Sequence, residues 1–294
     1  MAKSVDLTTL PGWSSLSTGS HNITIIAKAA GYKDSEPSAA VSVTKAFVPP
    51  TDCITFTGET SDFTLTATYK EWDGTVEYST DHNTWTVWNG TEISSSGKKL
   101  YLRGSGNTTF KTSRGARFVL SAKAGCSGNL NTLLEYSNPP TILGKSECYY
   151  AMFFGCTNLT TAPDLPATTL TYGCYSSMFS GCTSLKTAPA LPATTLAKGC
   201  YFYMFWHCAN LTTVPALPAT TLAIECYYTM FGSCTAFKVS STQTGTYQYA
   251  WRIPTSGTAS TKSSWNTNML AKTGGTFTSD PSINTTYYVE NAPV

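Results

Sequence analysis

Charge is the first thing this sequence is short of. Only 12% of its residues are Asp, Glu, Lys or Arg and the net charge is +2, about half the usual charged fraction. No basic stripe runs through it, so nucleic acid and an anionic membrane surface, partners found by long-range electrostatics, are not expected. Long apolar runs are missing as well. None is long enough for a membrane-spanning helix, so no membrane insertion is expected, and the N-terminal stretch holds no uninterrupted apolar segment of the secretory kind. Histidine is down to three residues, His21, His82 and His207, in three separate segments. Neither HExxH, GxSxG nor a phosphate-binding glycine loop occurs. The acidic residues Glu71, Asp73, Glu77 and Asp81 fall in one hairpin-like stretch, at spacings that suit a solvated face better than a carboxylate pair. The chain therefore reads as non-enzymatic, with no catalytic residue, metal site or cofactor.

What is abundant is cysteine in a pattern. Of the ten cysteines, eight form two ladders, Cys148, Cys174, Cys200 and Cys226, then Cys156, Cys182, Cys208 and Cys234, every step being 26 residues. This is the signature of an internal repeat. The segment CYYAMFFGCTNLTTAPDLPATTL from Cys148 returns from Cys174 and again from Cys200, and a fourth copy begins at Cys226 and decays after Phe237. A unit this short cannot bury its own apolar side, so the copies are expected to stack around one shared core.

Within each copy the prolines mark a division. From Cys200 to Cys208 the apolar residues recur at a helical interval, which predicts a short helix with Cys200, Tyr201, Met204 and Cys208 on one side. The following Leu211–Leu217, interrupted by prolines, predicts an extended rung. On such a helix, thiols eight residues apart lie about 12 Å apart along the axis, too far for a bridge, so the ladders read as buried free thiols, with disulfides between rungs as the alternative. LPATT at Leu165, Leu191 and Leu217 resembles a sortase signal but lies inside the repeat, and is read as structural.

Comparison of the copies separates interior from exterior. Cys, Tyr, Met, Phe and the second Cys are unchanged in all four, whereas Tyr150, Ala151 and Phe154 become Ser176, Ser177 and Ser180, then Phe202, Tyr203 and Trp206, then Tyr228, Thr229 and Gly232. Packing does not dictate those outward positions. Large aromatic residues there reduce solubility unless they make contact, so Phe202, Tyr203, Trp206, Tyr150, Phe154 and Tyr228 form the candidate ligand-binding face.

Elsewhere the chain is strand and turn. Residues 1–47 suggest a small immunoglobulin-like β module with strands at Asn22–Ala29 and Val41–Thr44, followed by linker prolines Pro49 and Pro50. Its incomplete sheet leaves an edge, suited to pairing with another chain as an anchor or in a homo-oligomer. Residues 51–125 alternate apolar and polar positions in Ile54–Phe56, Phe63–Tyr69, Val76–Tyr78, Trp85–Trp88, Leu100–Leu102 and Phe118–Leu120, which predicts a β-sandwich or barrel with Trp72, Tyr78, Trp85, Trp88 and Tyr101 in or beside its core. The repeat domain is placed at 126–240 and a C-terminal cap at 241–294.

These motifs carry a resemblance. YSTDHNTW from Tyr78, KLYLRGSGNT from Lys99, the CYxxMFxGCTxLTTAPxLPATTL unit, WRIPTSGT from Trp251, TGGTF from Thr273 and NTTYY from Asn284 are similar to the BspA-type leucine-rich-repeat surface proteins of gut bacteria and their phages, over some four-fifths of the chain. The spacing Cys156, Leu159, Leu165, Leu170 departs from the plain leucine-rich consensus. The resemblance implies a mainly β fold with an α/β leucine-rich-repeat-like solenoid, and adhesion at a cell or virion surface. With no export signal in view, a virion-surface protein is expected, binding a host-surface glycan or protein through the solenoid and other virion proteins through residues 1–47. The alternatives are a bacterial cell-surface adhesin and a structural capsid or tail decoration protein.

Overall fold

A computed structural model describes residues 19–23, 36, 37, 39, 41–45, 53–111 and 113–294. The chain divides into two units, 1–49 and 50–294. In the first, β1 (Gly19–Ile23) and β2 (Val41–Lys45) pair antiparallel, Gly19 opposite Lys45. Beyond Ile23, the strand expected at Asn22–Ala29 lies outside the described residues, as do Pro49 and Pro50 and most of the immunoglobulin-like module expected at 1–47.

The second unit is mainly β, with almost no helix. It opens with β3 (Ile54–Gly58), β4 (Thr64–Ala67), β5 (Thr75–Ser79), β6 (Thr86–Val87), β7 (Ile93–Ser94), β8 (Lys99–Ser105), β9 (Phe118–Leu120) and β10 (Ala124–Ser127). Two open sheets result, β10-β3-β8-β5-β6 and β7-β4-β9, and neither closes into a barrel. Alternation fixes which side of each strand is inside. Ile54, Phe56, Leu100 and Leu102 from the first sheet and Leu65, Phe118 and Leu120 from the second are buried in one core. Phe56 and Phe118 approach to 6.4 Å between ring centres. Trp72 and Trp88 are buried and stack at 5.3 Å, while Tyr78, Trp85 and Tyr101 stay partly exposed. At Gly104 in β8 a Cβ would sit 1.8 Å from the Leu133 carbonyl oxygen, so only glycine lets the 3-10 turn Leu130–Leu133 close on the sheet.

The repeat does not form the helices expected of it. From Tyr149 the amides alternate between two kinds of partner. Tyr150, Met152, Phe154 and Cys156 donate to the carbonyl three residues back, as in successive β-turns. Tyr149, Ala151, Phe153 and Gly155 donate instead to Cys174, Ser176, Met178 and Ser180 of the next copy. The same scheme joins copy two to copy three and copy three to copy four. Every fourth residue is left-handed: Glu147, Ala151 and Gly155 have φ of 57°, 55° and 72°, and Gly173, Ser177 and Gly181 repeat the pattern. A positive φ is what type II turns place at their third residue, and it is incompatible with an α-helix. The helix expectation failed because a helix and this chain of turns both return side chains to one side at intervals near four. Half of the turn amides serve the neighbouring copy, so one copy alone leaves half of them without a partner until the next stacks on it.

The interior follows. Tyr149, Tyr175, Tyr201 and Tyr227 stack face to face at 5.8–6.0 Å. Phe153, Phe179, Phe205 and Phe231 do so at 5.5–5.7 Å. Both files run on into the flanking regions: Phe110 lies 5.8 Å from Tyr149 and Phe118 5.6 Å from Phe153, and at the far end Trp265 lies 6.1 Å from Tyr227. The core is thus continuous from β3 to β14 (Thr286–Val289), and the boundaries expected at 125 and 240 fall inside one unit. All ten cysteines are buried free thiols. Three of them donate to a carbonyl of the preceding copy: Cys182 to Phe153, Cys208 to Phe179 and Cys234 to Phe205, at 2.9–3.0 Å. In the LPATT segments Leu165, Leu191 and Leu217 are buried, and Thr169, Thr195 and Thr221 form successive parallel bridges.

The C-terminal region holds a further turn segment that the sequence hides. Tyr227, Thr229, Phe231 and Ser233 donate to Trp265, Thr267, Met269 and Ala271. Ser264, Asn268 and Lys272 have φ of 54°, 57° and 60°, matching Glu225, Thr229 and Ser233. Tyr227 reaches Trp265 across an interval of thirty-eight residues, where Tyr201 reaches Cys226 across twenty-five. The intervening chain carries β11 (Lys238–Ser240) and β12 (Tyr249–Arg252), which join β13 (Gly274–Gly275) and β14 in a four-stranded sheet ordered β12-β14-β11-β13.

Candidate functional site

The six residues of the expected binding face project outward, and the structure sorts them into two groups. Four converge. Phe202 stacks on Tyr228 at 4.8 Å, Tyr203 meets Phe202 edge-on at 4.5 Å, and Trp206 meets Tyr203 edge-on at 5.5 Å. All four remain partly exposed, in contrast to the fully enclosed Tyr201 and Phe205 beside them. Tyr150 and Phe154 stand apart, two copies away, with Ser176, Ser177 and Ser180 between. Each already faces a cation: the Lys111 ammonium lies 4.2 Å from the Tyr150 ring and the Arg117 guanidinium 4.8 Å from that of Phe154. Lys111 is also held by Glu147 at 2.6 Å.

Beside Trp206 the outer surface steps down. Copy three presents Tyr203, Trp206 and His207, whereas copy four presents Thr229, Gly232 and Ser233, and the last turn Asn268, Ala271 and Lys272. The lost side-chain volume leaves a groove of about 320 Å³ lined by these residues. Gly232 is what lets the indole lie low: a Cβ there would come within 3.1 Å of Trp206 Cδ1 and 2.6 Å of Thr229 Cγ2. His207 packs against Trp206 at 4.0 Å. Sequence reasoning found Trp206 and Tyr203 but missed His207, Asn268 and Lys272. The last two belong to a turn in which the repeat's cysteines have become Trp265 and Thr273, and only Met269 marks the register.

The acidic stretch is occupied by structural work. Glu71 is buried and accepts from the backbone N–H and hydroxyl of Ser113 at 2.6 and 2.8 Å. Burial alone would raise the pKa of Asp73, but the hydroxyl and N–H of Thr108 and the N–H of Thr109 hold it below the ordinary value. Glu77 pairs with Arg103 at 2.7 Å, and Arg103 is itself sandwiched between Trp85 and Tyr136. Asp81 caps a turn, and donation from the N–H groups of Thr84 and Asn83 depresses its pKa strongly. His82 Nε2 lies 3.3 Å from Cys53 Sγ, a pairing the sequence did not suggest. Among the described residues no three of His, Cys, Asp and Glu are grouped so as to hold a metal ion, and no helix is long and apolar enough to cross a membrane.

The ladder thiols are inert by environment. Burial raises the pKa of Cys156 to about 11 and those of Cys174, Cys208 and Cys226 to about 12. Cys200 is also pushed well up, first by burial and then by the thiols of Cys174 and Cys226 on either side. Thiols held neutral in this way neither attack nor ligate readily. What the outer surface offers is therefore contact: a partly exposed ring cluster bordering a groove with amide, hydroxyl, imidazole and ammonium groups. Comparison of the chain with protein-family models, with curated proteins and with solved structures returns no match.

Proposed function

We propose that the stacked copies form a leucine-rich-repeat-like solenoid whose outward aromatic face binds a glycan or protein on a host cell surface, without enzymatic activity. The observation that carries this reading is the convergence of Phe202, Tyr203, Trp206 and Tyr228 beside a groove, at positions that vary between copies while the interior does not. Supporting the solenoid itself are the amide bonds that join each copy to the next at a constant interval and the buried leucines in matching register. Aromatic faces bury apolar sugar C–H surfaces or protein side chains at small entropic cost, and repetition on a particle multiplies weak contacts. On this reading the protein is a homo-oligomeric virion-surface component, held to other virion proteins through residues 1–47. A bacterial cell-surface adhesin would use the same face.

The test is binding of the fluorescently labelled full chain to host cells. Phe202→Ala combined with Trp206→Ala is expected to weaken binding by at least roughly tenfold, as loss of a paired aromatic hot spot does, while thermal unfolding moves by only about 2–4 °C. Undiminished binding by a folded double variant would place the contact elsewhere. Labelled protein that coats purified particles and ignores every cell tested would instead mark a structural decoration protein.

A further inference from the structure

Resting on the reading of this face as a ligand surface, we infer that the groove beside Trp206 takes a carboxylate-bearing pyranose, an acidic sugar rather than a neutral one. The groove is at the lower end of the size range of small-molecule sites, with room for one or two sugar rings, and its wall is the partly exposed indole of Trp206 above a floor left open by Gly232. A pyranose can lay its C–H face on that ring and turn its hydroxyls toward Ser233, His207 and Asn268.

No Asp or Glu lines the groove, and Lys272 is the one Lys or Arg among its lining residues. Lys198 is paired with Glu225 at 3.5 Å and Lys238 with Glu290 at 3.2 Å, whereas the exposed Lys145, Lys186 and Lys262 have no ion pair among the described residues and do not line the groove. Among the described residues Lys272 has no ion pair.

In copy four the N–H groups of Thr229 and Ser233 donate to Thr267 and Ala271 of the following turn. Asn268 and Lys272 hold the same left-handed conformation but have no following turn, and among the described residues their N–H groups meet no acceptor. These two N–H groups, like those of Thr229 and Ser233, point on along the stack and away from copy four, so it is the Lys272 ammonium that the groove offers to a carboxylate oxygen.

Titration calorimetry of the full chain with methyl glycosides of glucuronic acid, galacturonic acid and N-acetylneuraminic acid, each beside its neutral counterpart, tests the inference. At least one acidic sugar is expected to bind roughly tenfold more tightly than its neutral partner, the gain of one charge-assisted hydrogen bond. Lys272→Met is expected to remove that preference while keeping neutral-sugar binding and the unfolding temperature. Trp206→Ala is expected to weaken both sugars together. Equal binding of acidic and neutral forms, or a preference that survives Lys272→Met, overturns the assignment of charge but leaves the aromatic face as a glycan surface. Failure of every sugar with cell binding intact overturns the inference and points the face at a protein. Loss of cell binding altogether sinks the broader reading.

Discussion

Raising the pH should unfold this protein in one steep step, because of the thiol files. Each of the eight ladder cysteines keeps its proton in the folded chain well above the ordinary thiol value of 9.0, and Cys156 does so to about 11. The unfolded chain releases those protons from about pH 9 upward. In that interval it binds fewer protons than the folded chain, so stability falls as pH rises, is complete below pH 9 and is lost on approach to the folded values. At pH 10 each thiol contributes a loss on the order of 1 kcal/mol, or on the order of 10 kcal/mol for all eight. That matches the whole stability of an ordinary domain, about 5–15 kcal/mol. Tyr149, Tyr175, Tyr201 and Tyr227, also raised by burial, act in the same direction at slightly higher pH.

The assay is a pH titration under reducing conditions, following circular dichroism for the fold and thiolate absorbance for ionisation. Both signals are expected to change together, close to pH 10 and within about one unit, because unfolding and ionisation are one event. Thiolate appearing gradually from pH 8.5 with the fold intact would refute the reasoning. It would mean that the files are open to water, and with them the shared interior of the copies.

Two further substitutions probe the packing and the groove. The Tyr149 hydroxyl bonds the Leu130 carbonyl and Asn131 Oδ1 at 3.3 and 3.1 Å, whereas that of Tyr175 is buried and finds no partner among the described residues. In urea denaturation Tyr149→Phe should therefore lower stability by about 1 kcal/mol, and Tyr175→Phe should leave it unchanged or raise it by a similar amount. Gly232→Ala should push Trp206 and Thr229 apart, lowering ligand binding several-fold and stability by about 1–2 kcal/mol; normal binding by this variant would show that the indole's low seat is irrelevant to recognition.

Much of this was readable in the sequence, for identifiable reasons. The repeat length fixed which residues recur, and the contrast between constant and varying positions separated Tyr201 and Phe205 from Phe202 and Trp206 without any knowledge of the backbone. Strands β3, β4, β5, β8 and β9 matched the alternation of their residues. The backbone of the repeat was not readable. Left-handed positions are announced by glycine at 155, 173, 181 and 199, but Ala151, Ser177, Tyr203 and Thr229 occupy the central one, and none of those residue types signals a positive φ. The groove was out of reach for a related reason: two of its three contributing turns are visible in the repeat, and the third has lost both cysteines.

The same backbone explains why the outer face is free to diverge. Of the fifteen left-handed positions in the five turn segments, eleven are not glycine. At about 1 kcal/mol or more each, their strain would equal or exceed the stability of a typical domain, so it persists only because every segment is over-determined. In the four copies the determinants lie inside or along the stack: four amides given to the next segment, one tyrosine and one phenylalanine ring in register, and thiols bonded to a neighbouring carbonyl; the fifth segment is held by the four amides it accepts from copy four. None of them involves the side chain at the outward positions. Ser177 and Tyr203, both partly exposed, can therefore exchange without touching what holds the turn, and a binding surface can be rebuilt at such positions on an unchanged interior. That freedom narrows where neighbours cover the outward position, as at Ala151, Ser176, Ser180 and Thr229, which are buried, and at Gly232, whose missing side chain is the space that Trp206 uses; there the identity of one copy is set by the ring its neighbour carries.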